Sequence, residues 1–432
     1  MIPYSSLRCL PFLRSVLGKG KIFLEGKRME RWQRALSESI TSLSELVRYI
    51  PIDPKLLGPV VARYPLRITR YYLSLIRERD DPIGRQCIPD RCELEKDDLS
   101  IDPLNEGGLT PVPGLIHRYP DRAVLLVSSV CPTLCRFCTR KNRTGGEGSL
   151  INPVRKSSTF QREGSHVALN PGFAQKGTLP SSPLKAQIEA EFRTGQPAEL
   201  SNGVNQNSLE AALEYIERRP AIRDVILSGG DPLLLTDDEL EKILIRLRKL
   251  PHLEILRLHT RAPVTLPDRI TLRLCRILKR YHPLYVNTQF NHPLEITPES
   301  TKSCAMLADA GIPLGNQTVL LRGVNDDPGV MKQLMQKLLT IRVRPYYIHQ
   351  MDLVKGTGHF RTPVQKGLNI MAGLRGHTSG MATPSYVIDL PGGKGKVAVL
   401  PDDVRRQGNT FYLRNYLGEI IEYPDSGEYG AF

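Results

Sequence analysis

The sequence predicts an α/β protein built on a partial, TIM-like (β/α)6 parallel barrel, with a helical layer before the barrel and a small β-containing extension after it. Two observations indicate this class: six short apolar segments are typical of strands, and amphipathic segments with helical spacing separate them. Strands that alternate with helices form parallel units with right-handed crossovers. With 432 residues, of which 40% are hydrophobic and 24% charged, the chain can bury a full globular core.

The six predicted strands share a short length and a dense content of apolar residues. Polar or glycine-containing turns follow them, as expected at the carboxyl ends of barrel strands. They cover residues 123–130, 224–227, 254–258, 284–288, 317–321 and 344–348.

The remainder of the chain divides into segments that differ in composition and residue pattern. Residues 1–27 predict a flexible start, because Arg14 interrupts the apolar run that a signal peptide needs, although a transit peptide is an alternative. Residues 28–110 form a predicted helical region, and 111–380 form the barrel core. Within that core, residues 146–205 predict an inserted, disordered loop, since they carry no sustained period. Residues 381–432 become strand-like again and form the C-terminal extension.

The formal charge of +14 indicates a solvated basic surface, because the lysines and arginines are spread along the chain. We therefore expect no nucleic-acid partner. The longest uncharged apolar stretch, residues 123–135, contains Ser128, Ser129 and Thr133 and is too short to cross a bilayer. We expect no membrane association.

Three of the eight cysteines, Cys131, Cys135 and Cys138, crowd into eight positions just after a predicted strand. Barrel folds place chemistry at this end of their strands. Three thiolates can hold three irons of a cubane cluster and leave the fourth open to a small molecule. A zinc site would need a fourth ligand, and the spacing does not match paired zinc knuckles, although His117 is not far away. Three buried thiols without a metal are the remaining alternative.

The spacing Cys-x3-Cys-x2-Cys, with Phe137 before the last cysteine, resembles the radical S-adenosylmethionine superfamily. Gly229-Gly230-Asp231-Pro232 resembles that superfamily's methionine-binding element. A wider match, from about residue 30 to about residue 422 with a gap at 146–205, resembles the lysine 2,3-aminomutase family. The matching segments are residues 114–122, 138–140, 291–293, 314–317, 321–326, 344–347, 359–363, 374–380 and 391–396.

The resemblance implies a 4Fe-4S cluster on the three cysteines and S-adenosylmethionine on its open iron, which together generate a 5′-deoxyadenosyl radical. It implies that Gly229, Gly230, Asp231 and Gln317 bind S-adenosylmethionine. Asn287, Gln289 and Arg261 also lie near predicted strand ends, where they either help to hold this cofactor or serve as structural hydrogen-bonding groups.

The resemblance further implies pyridoxal 5′-phosphate, whose conjugated ring would accept the radical during an amino shift. The family's Pro-Gly-Gly-x-Gly-Lys motif places the covalent attachment on Lys396, while Lys394 falls at the variable position. A phosphate loop is excluded, because Val397 stands where that motif needs Ser or Thr. The same resemblance implies that three further residues contact pyridoxal phosphate: Arg118, Tyr119 and Arg122. A purely structural role is the alternative for them.

For the substrate, the resemblance implies that Arg140 binds the α-carboxylate and that Asp352 and Asp389 bind the side-chain ammonium. One cation and two anions suit a dibasic amino acid. The relative that acts on glutamate has lysine and asparagine at the two acidic positions. We therefore expect an isomerase that converts L-lysine to β-lysine. Arginine, a lysine of elongation factor P, or a non-catalytic iron–sulfur role are the alternatives.

A reducible cluster implies a cytoplasmic protein with an electron donor such as flavodoxin or ferredoxin, and we expect a homo-oligomer. The chain departs from common family residues at three positions: Phe137 and Gln289 stand where histidine is frequent, and His349 stands where tyrosine is frequent. The C-terminal cysteines that bind structural zinc in some relatives are absent, since Cys304 is the last cysteine. We expect no zinc.

Overall fold

The computed structural model describes residues 29–142, 206–401, 403–408 and 410–424. Several segments lie outside these ranges, among them the predicted flexible start at 1–27, the predicted insertion at 146–205 and residues 425–432. Within them, no helix combines the length and the low charge that crossing a membrane requires.

A nine-stranded sheet forms the centre of the described part of the chain, with its strands in sequence order from β1 to β9. Strands β2 to β8 run parallel, whereas β1 and β9 pair antiparallel at the two edges. The strands are β1 (Leu115–Tyr119), β2 (Arg122–Ser128), β3 (Asp224–Gly229), β4 (Ile255–His259), β5 (Leu284–Thr288), β6 (Leu314–Leu320), β7 (Arg344–Gln350), β8 (Ser385–Asp389) and β9 (Lys396–Ala398).

The predicted α/β class and partial barrel are confirmed, and the six predicted strands correspond to β2 to β7. The sheet contains a seventh parallel strand, β8, which comes from the predicted C-terminal extension. Strand β1 was not predicted, because only Leu115 and Ile116 at its start are buried and the rest is His-Arg-Tyr. The edge strand β9 brings Lys396 beside Asp389 of β8.

Helices follow the parallel strands and cover one face of the sheet. They are preceded by five short helices in the N-terminal region, consistent with a helical layer there. The helices are α1 (Arg31–Ser37), α2 (Leu43–Leu46), α3 (Pro54–Arg63), α4 (Arg70–Leu73), α5 (Gly84–Cys87), α6 (Gln206–Glu217), α7 (Asp237–Arg248), α8 (Ala262–Thr265), α9 (Leu272–Lys279), α10 (Pro298–Asp309), α11 (Pro328–Thr340) and α12 (Val364–Leu374).

Helix α7 shows how sequence determines these elements. Thr236 caps it by accepting a hydrogen bond from the backbone N–H of Glu239 at 3.3 Å, and Glu239 returns the contact in a capping box. Three acidic residues occupy the first turn and two arginines the last, which suits the helix dipole. Leu240, Ile243, Leu244 and Leu247 are buried at helical spacing and pack into the main core.

The strands have one apolar and one polar face. On β4, Leu256 and Leu258 are buried in the core with the helices, whereas Arg257 and His259 are only partly buried on the opposite face. Because side chains alternate along a strand, the inner face of the partial barrel carries the polar groups. These groups surround the candidate site.

A separate three-stranded antiparallel sheet follows the large sheet. It contains β10 (Val404–Gln407), β11 (Thr410–Arg414) and β12 (Ile420–Pro424). Its surface is rich in exposed apolar side chains, among them Leu417, Ile420 and Ile421.

Candidate active site

The three clustered cysteines lie on the loop after β2, at the carboxyl end of the strand, as predicted. All three are free thiols. The loop turns tightly between the second and third, since the backbone N–H of Cys138 donates to the carbonyl of Cys135 at 3.3 Å. The sequence spacing therefore places the thiols on one short loop.

The three thiols interact electrostatically, because the charges of Cys138 and Cys135 act on Cys131. Burial raises the pKa of Cys131 well above its ordinary value, and the neighbouring Cys138 and Cys135 raise it further. A metal bound to these sulfurs would neutralise the charge of their thiolate forms. In the described ranges no group of His, Cys, Asp or Glu is arranged around a single metal ion. A cubane has no need of such a group, because each cysteine binds a different iron.

Arg261 stabilises this thiol group from the loop after β4. Its guanidinium donates to Sγ of Cys135 at 2.9 Å, and the same side chain forms an ion pair with the buried Glu295 at 2.6 Å. Gln86 and the hydroxyl of Tyr72 also contact it. The sequence left Arg261 open between a cofactor contact and a structural role. The structure shows that it contacts a cysteine directly.

A buried charge cluster holds the cysteine loop against the N-terminal region. Glu93 accepts hydrogen bonds from Nε of Arg136 at 2.9 Å and from Nζ of Lys141 at 2.6 Å, and all three side chains are at most 4% exposed. Burial alone would raise the pKa of Glu93, but the two cations outweigh it and lower that pKa. The loop is thus fixed on both sides of Cys138.

The glycine motif after β3 packs against the backbone that leads into the cysteines. A side chain on Gly230 would place its Cβ 2.3 Å from the carbonyl oxygen of Val130, and Gly229 has φ of +125°. Only glycine fits both positions. The carboxylate of Asp231 accepts from the hydroxyl of Thr260 at 2.7 Å and from the backbone of Arg261 at 2.8 Å. Asp231 therefore joins the loops after β3 and β4.

Lys396, the predicted attachment point for pyridoxal phosphate, lies on edge strand β9 in a compact charged group. Its Nζ is 2.6 Å from Oδ2 of Asp389 and 3.2 Å from Nδ1 of His349. Arg118 from β1 contacts the other oxygen of Asp389 at 3.3 Å. Burial would raise the pKa of Asp389, but hydrogen bonding to His349 and the charge of Lys396 lower it well below its ordinary value.

Tyr119 and Arg122 lie beside the glycine run that carries Lys396. The Arg122 guanidinium stacks over the Tyr119 ring at 3.9 Å from its centre. A Cβ on Gly395 would lie 3.6 Å from the Tyr119 hydroxyl, and Gly395 has φ of +97°. Glycine at this position lets the chain turn close to Tyr119 and direct Lys396 inward.

The predicted substrate residue Arg140 lies just after the cysteine loop, and Asp352 contacts the neighbouring Thr139. Arg140 forms a forked pair with the buried Glu106, at 2.9 Å and 2.7 Å. Asp352 accepts a hydrogen bond from the hydroxyl of Thr139 at 2.7 Å. Burial raises the pKa of Asp352 to about 6, and the negative charge of Asp389 adds to that rise.

Electrostatic contacts connect these groups across the inner face of the barrel. The charges of Lys396 and Asp389 both act on Asp352. Burial lowers the pKa of His259 to about 3, with further lowering by His349, Arg140 and Lys396. Gln317 lies partly buried on the same face of β6. Three partners that the sequence did not indicate are Glu93, Glu106 and Glu295, because a single glutamate without a motif carries no local signal.

These residues fit an iron–sulfur cluster and pyridoxal phosphate in chemical terms. Three thiols supply a cubane with one iron left open, and a partly buried amine beside arginines, a tyrosine and glycine turns suits a phosphorylated aldehyde. His349 also has a buried Nε2 without a hydrogen-bond partner in the described part of the chain, so the site contains an unsatisfied polar atom.

The sequence matches two family models and is similar to several known aminomutases. A family model described as lysine-2,3-aminomutase matches residues 371–431, and a radical SAM superfamily model matches residues 125–335. The L-lysine 2,3-aminomutase of Clostridium subterminale is 44% identical over 92% of this chain and 84% of its own length. The L-lysine 2,3-aminomutase of Fusobacterium nucleatum is 42% identical over 92% and 83%, and the glutamate 2,3-aminomutase of Clostridioides difficile is 39% identical over 91% and 82%.

Proposed function

The chain belongs to the lysine 2,3-aminomutase family of radical S-adenosylmethionine enzymes, and we propose that it moves the 2-amino group of L-lysine to carbon 3, giving β-lysine. When bound, the cluster and S-adenosylmethionine supply a 5′-deoxyadenosyl radical, and pyridoxal phosphate supplies the conjugated ring for the amino shift. The remaining requirements are met by side chains of this protein: they bind the substrate, orient it and limit the access of water.

The pair of carboxylates Asp352 and Asp389 is the observation that favours lysine. Both are partly buried, and the negative charge of Asp389 acts on Asp352 across the site. A dibasic substrate would bring its side-chain ammonium to this negative region while Arg140 binds its α-carboxylate. Glutamate would bring a third carboxylate to the same place, where like charges repel.

We propose the cofactor contacts that the family resemblance implies. Cys131, Cys135 and Cys138 would hold the cluster, with Gly229, Gly230, Asp231 and Gln317 around S-adenosylmethionine, and with Arg118, Tyr119, Arg122 and Lys396 around pyridoxal phosphate. Asp231 would act mainly by fixing the loop, since backbone and hydroxyl donors already engage its carboxylate. The partial barrel and its loops surround these residues and would keep the radical away from bulk water.

The proposed function is tested by turnover with matched substrates. Anaerobically purified protein, with its cluster reconstituted, would be given pyridoxal phosphate, S-adenosylmethionine, a strong reductant and L-lysine, L-arginine or L-glutamate. We expect β-lysine from lysine and little product from the other two. Preferred turnover of glutamate or arginine would refute the assignment of substrate, and turnover only of a lysine within elongation factor P would identify a protein-modifying enzyme.

Replacing Asp352 by asparagine should raise the KM for lysine about 10- to 100-fold, because a charge-assisted hydrogen bond to the substrate ammonium is lost. Thr139→Val is the matched control, since it removes the hydrogen bond to Asp352 but keeps the negative charge. The control should shift KM much less. Equal effects of the two substitutions would mean that Asp352 acts only through the fold.

The dependence of lysine turnover on pH should report the same carboxyl group. Asp352 must be ionised to attract an ammonium, and its pKa is raised to about 6. The value of kcat/KM should therefore fall as the pH drops below about 6, since this ratio reflects groups of the free enzyme. Asp352→Asn should remove that acid limb. An identical limb in the variant would assign the titration to another group.

We further propose that the protein forms a homo-oligomer through its C-terminal sheet. Four large apolar side chains are each more than half exposed there: Val404, Leu417, Ile420 and Tyr423. Such a group is unusual on a surface that no partner covers. Sedimentation of the purified protein would measure its mass in solution, and a monomer at micromolar concentration would contradict the proposal.

We propose a reducing, cytoplasmic location and a flavodoxin or ferredoxin as electron donor. The seven cysteines in the described part of the chain are all free, which suits a reducing compartment. The formal charge of +14 would attract an acidic electron carrier.

A further inference from the structure

One ring nitrogen of His349 contacts both charged groups at the cofactor lysine. Its Nδ1 is 3.2 Å from Nζ of Lys396 and 3.3 Å from Oδ2 of Asp389, and that same oxygen is 2.6 Å from Nζ. The three residues come from the adjacent strands β7, β8 and β9. The nitrogen therefore contacts a group that can release a proton and a carboxylate that can stabilise the proton once it has moved.

We propose that His349 accepts the proton that Lys396 must lose before pyridoxal phosphate can bind to it covalently. In this step a proton passes from the Nζ ammonium to Nδ1. The free amine then donates its lone pair to the aldehyde carbon, a C–N bond forms, and the carbonyl oxygen leaves as water. The imidazolium is held by Asp389 until its proton returns to solvent. The inference rests on the proposed function, because it requires the cofactor to attach to Lys396.

The surroundings of His349 favour the neutral ring, and the contact of Nδ1 with Asp389 is what favours a proton on it. Its burial lowers the pKa of His349, and the positive charge of Lys396 lowers it further, while the contact with Asp389 opposes both. Tyr347 on the same strand packs edge-on against the ring at 5.4 Å, and His259 approaches from β4. Lys396 and Asp389 remain the groups in direct contact with Nδ1.

Without the histidine, Lys396 keeps its proton in place through Asp389. A 2.6 Å contact with a carboxylate favours the charged ammonium, which is not nucleophilic. A second acceptor at Nδ1 gives the proton a place to go without a solvent molecule. The effect should appear in the rate of cofactor attachment even when no radical chemistry takes place.

The test measures attachment of pyridoxal phosphate to the full chain after the cofactor has been removed, by absorbance in stopped flow between pH 6 and pH 9. Borohydride reduction and peptide mass spectrometry then locate the bond. His349→Gln keeps a hydrogen-bonding side chain of similar reach but cannot hold a proton. His349→Ala leaves space for added imidazole. Circular dichroism confirms that each variant is folded.

We expect His349→Gln to attach the cofactor about 100-fold more slowly than the unsubstituted protein at pH 7. The rate for His349→Gln should also depend more steeply on pH than the rate for the unsubstituted protein. Imidazole should restore the rate of His349→Ala.

Unchanged rates and profiles in His349→Gln would overturn the inference and leave the proposed function intact, and so would a failure of imidazole to restore His349→Ala. If the unsubstituted protein forms no bond at Lys396, both the inference and the proposed function are wrong.

Discussion

Replacing Lys396 by alanine should abolish covalent binding of pyridoxal phosphate and reduce β-lysine formation by at least about 1,000-fold. Lys396 is the amine that the glycine turns and Asp389 hold at the inner face of the barrel. The iron content should stay normal, since the cysteines lie on the loop after β2. The measurement combines pyridoxal absorbance, iron analysis and turnover on a single preparation.

Lys394→Ala provides the matched control, because Lys394 lies two residues away in the same glycine run and is exposed. That variant should bind the cofactor and turn over normally. Loss of pyridoxal binding in Lys394→Ala, with retention in Lys396→Ala, would show that the attachment point had been assigned to the wrong lysine. Loss of iron in both would indicate a collapsed fold.

Replacing Arg261 by methionine should lower the free energy of unfolding by about 3 to 5 kcal/mol, because it leaves the fully buried Glu295 without its cation. The same change removes the donor to Sγ of Cys135. The variant should therefore unfold at a lower urea concentration and assemble less cluster per chain. Both quantities are measured on reduced, anaerobic protein.

Arg246→Met is the corresponding control, since the Arg246–Glu210 pair spans 2.8 Å but both side chains are more than 40% exposed. Exposed ion pairs contribute little to stability, so this variant should unfold almost like the unsubstituted protein. If Arg261→Met were equally neutral and kept its full iron content, the buried network around Cys135 would have no part in holding the loop.

The sequence predicted the parts of the site that depend on local order. Cys131, Cys135 and Cys138 lie on one short loop, and the glycine run that directs Lys396 is continuous, so their spacing alone indicates their geometry. Alternation of strands and helices likewise predicted the barrel, because each apolar run is bounded by its own turns.

The partners that hold these parts come from distant segments and could not be predicted. Arg261 and Cys135 are 126 residues apart, and Arg140 and Glu106 are 34 apart. Which carboxylate meets which guanidinium depends on how the loops pack, and an isolated glutamate such as Glu106 looks like any surface residue. Strand β8 was assigned to the extension for a related reason: pairing with β7 is a long-range property that its own residues do not reveal.

We propose that three thiolates, from Cys131, Cys135 and Cys138, hold a cubane whose fourth iron binds S-adenosylmethionine. Electron paramagnetic resonance of the reduced, reconstituted protein, recorded with and without S-adenosylmethionine and paired with iron and sulfide analysis, tests it most directly. We expect one four-iron cluster per chain and a spectrum that changes when S-adenosylmethionine is added. A full cluster whose spectrum is indifferent to S-adenosylmethionine, or a different metal on the three cysteines, would contradict it.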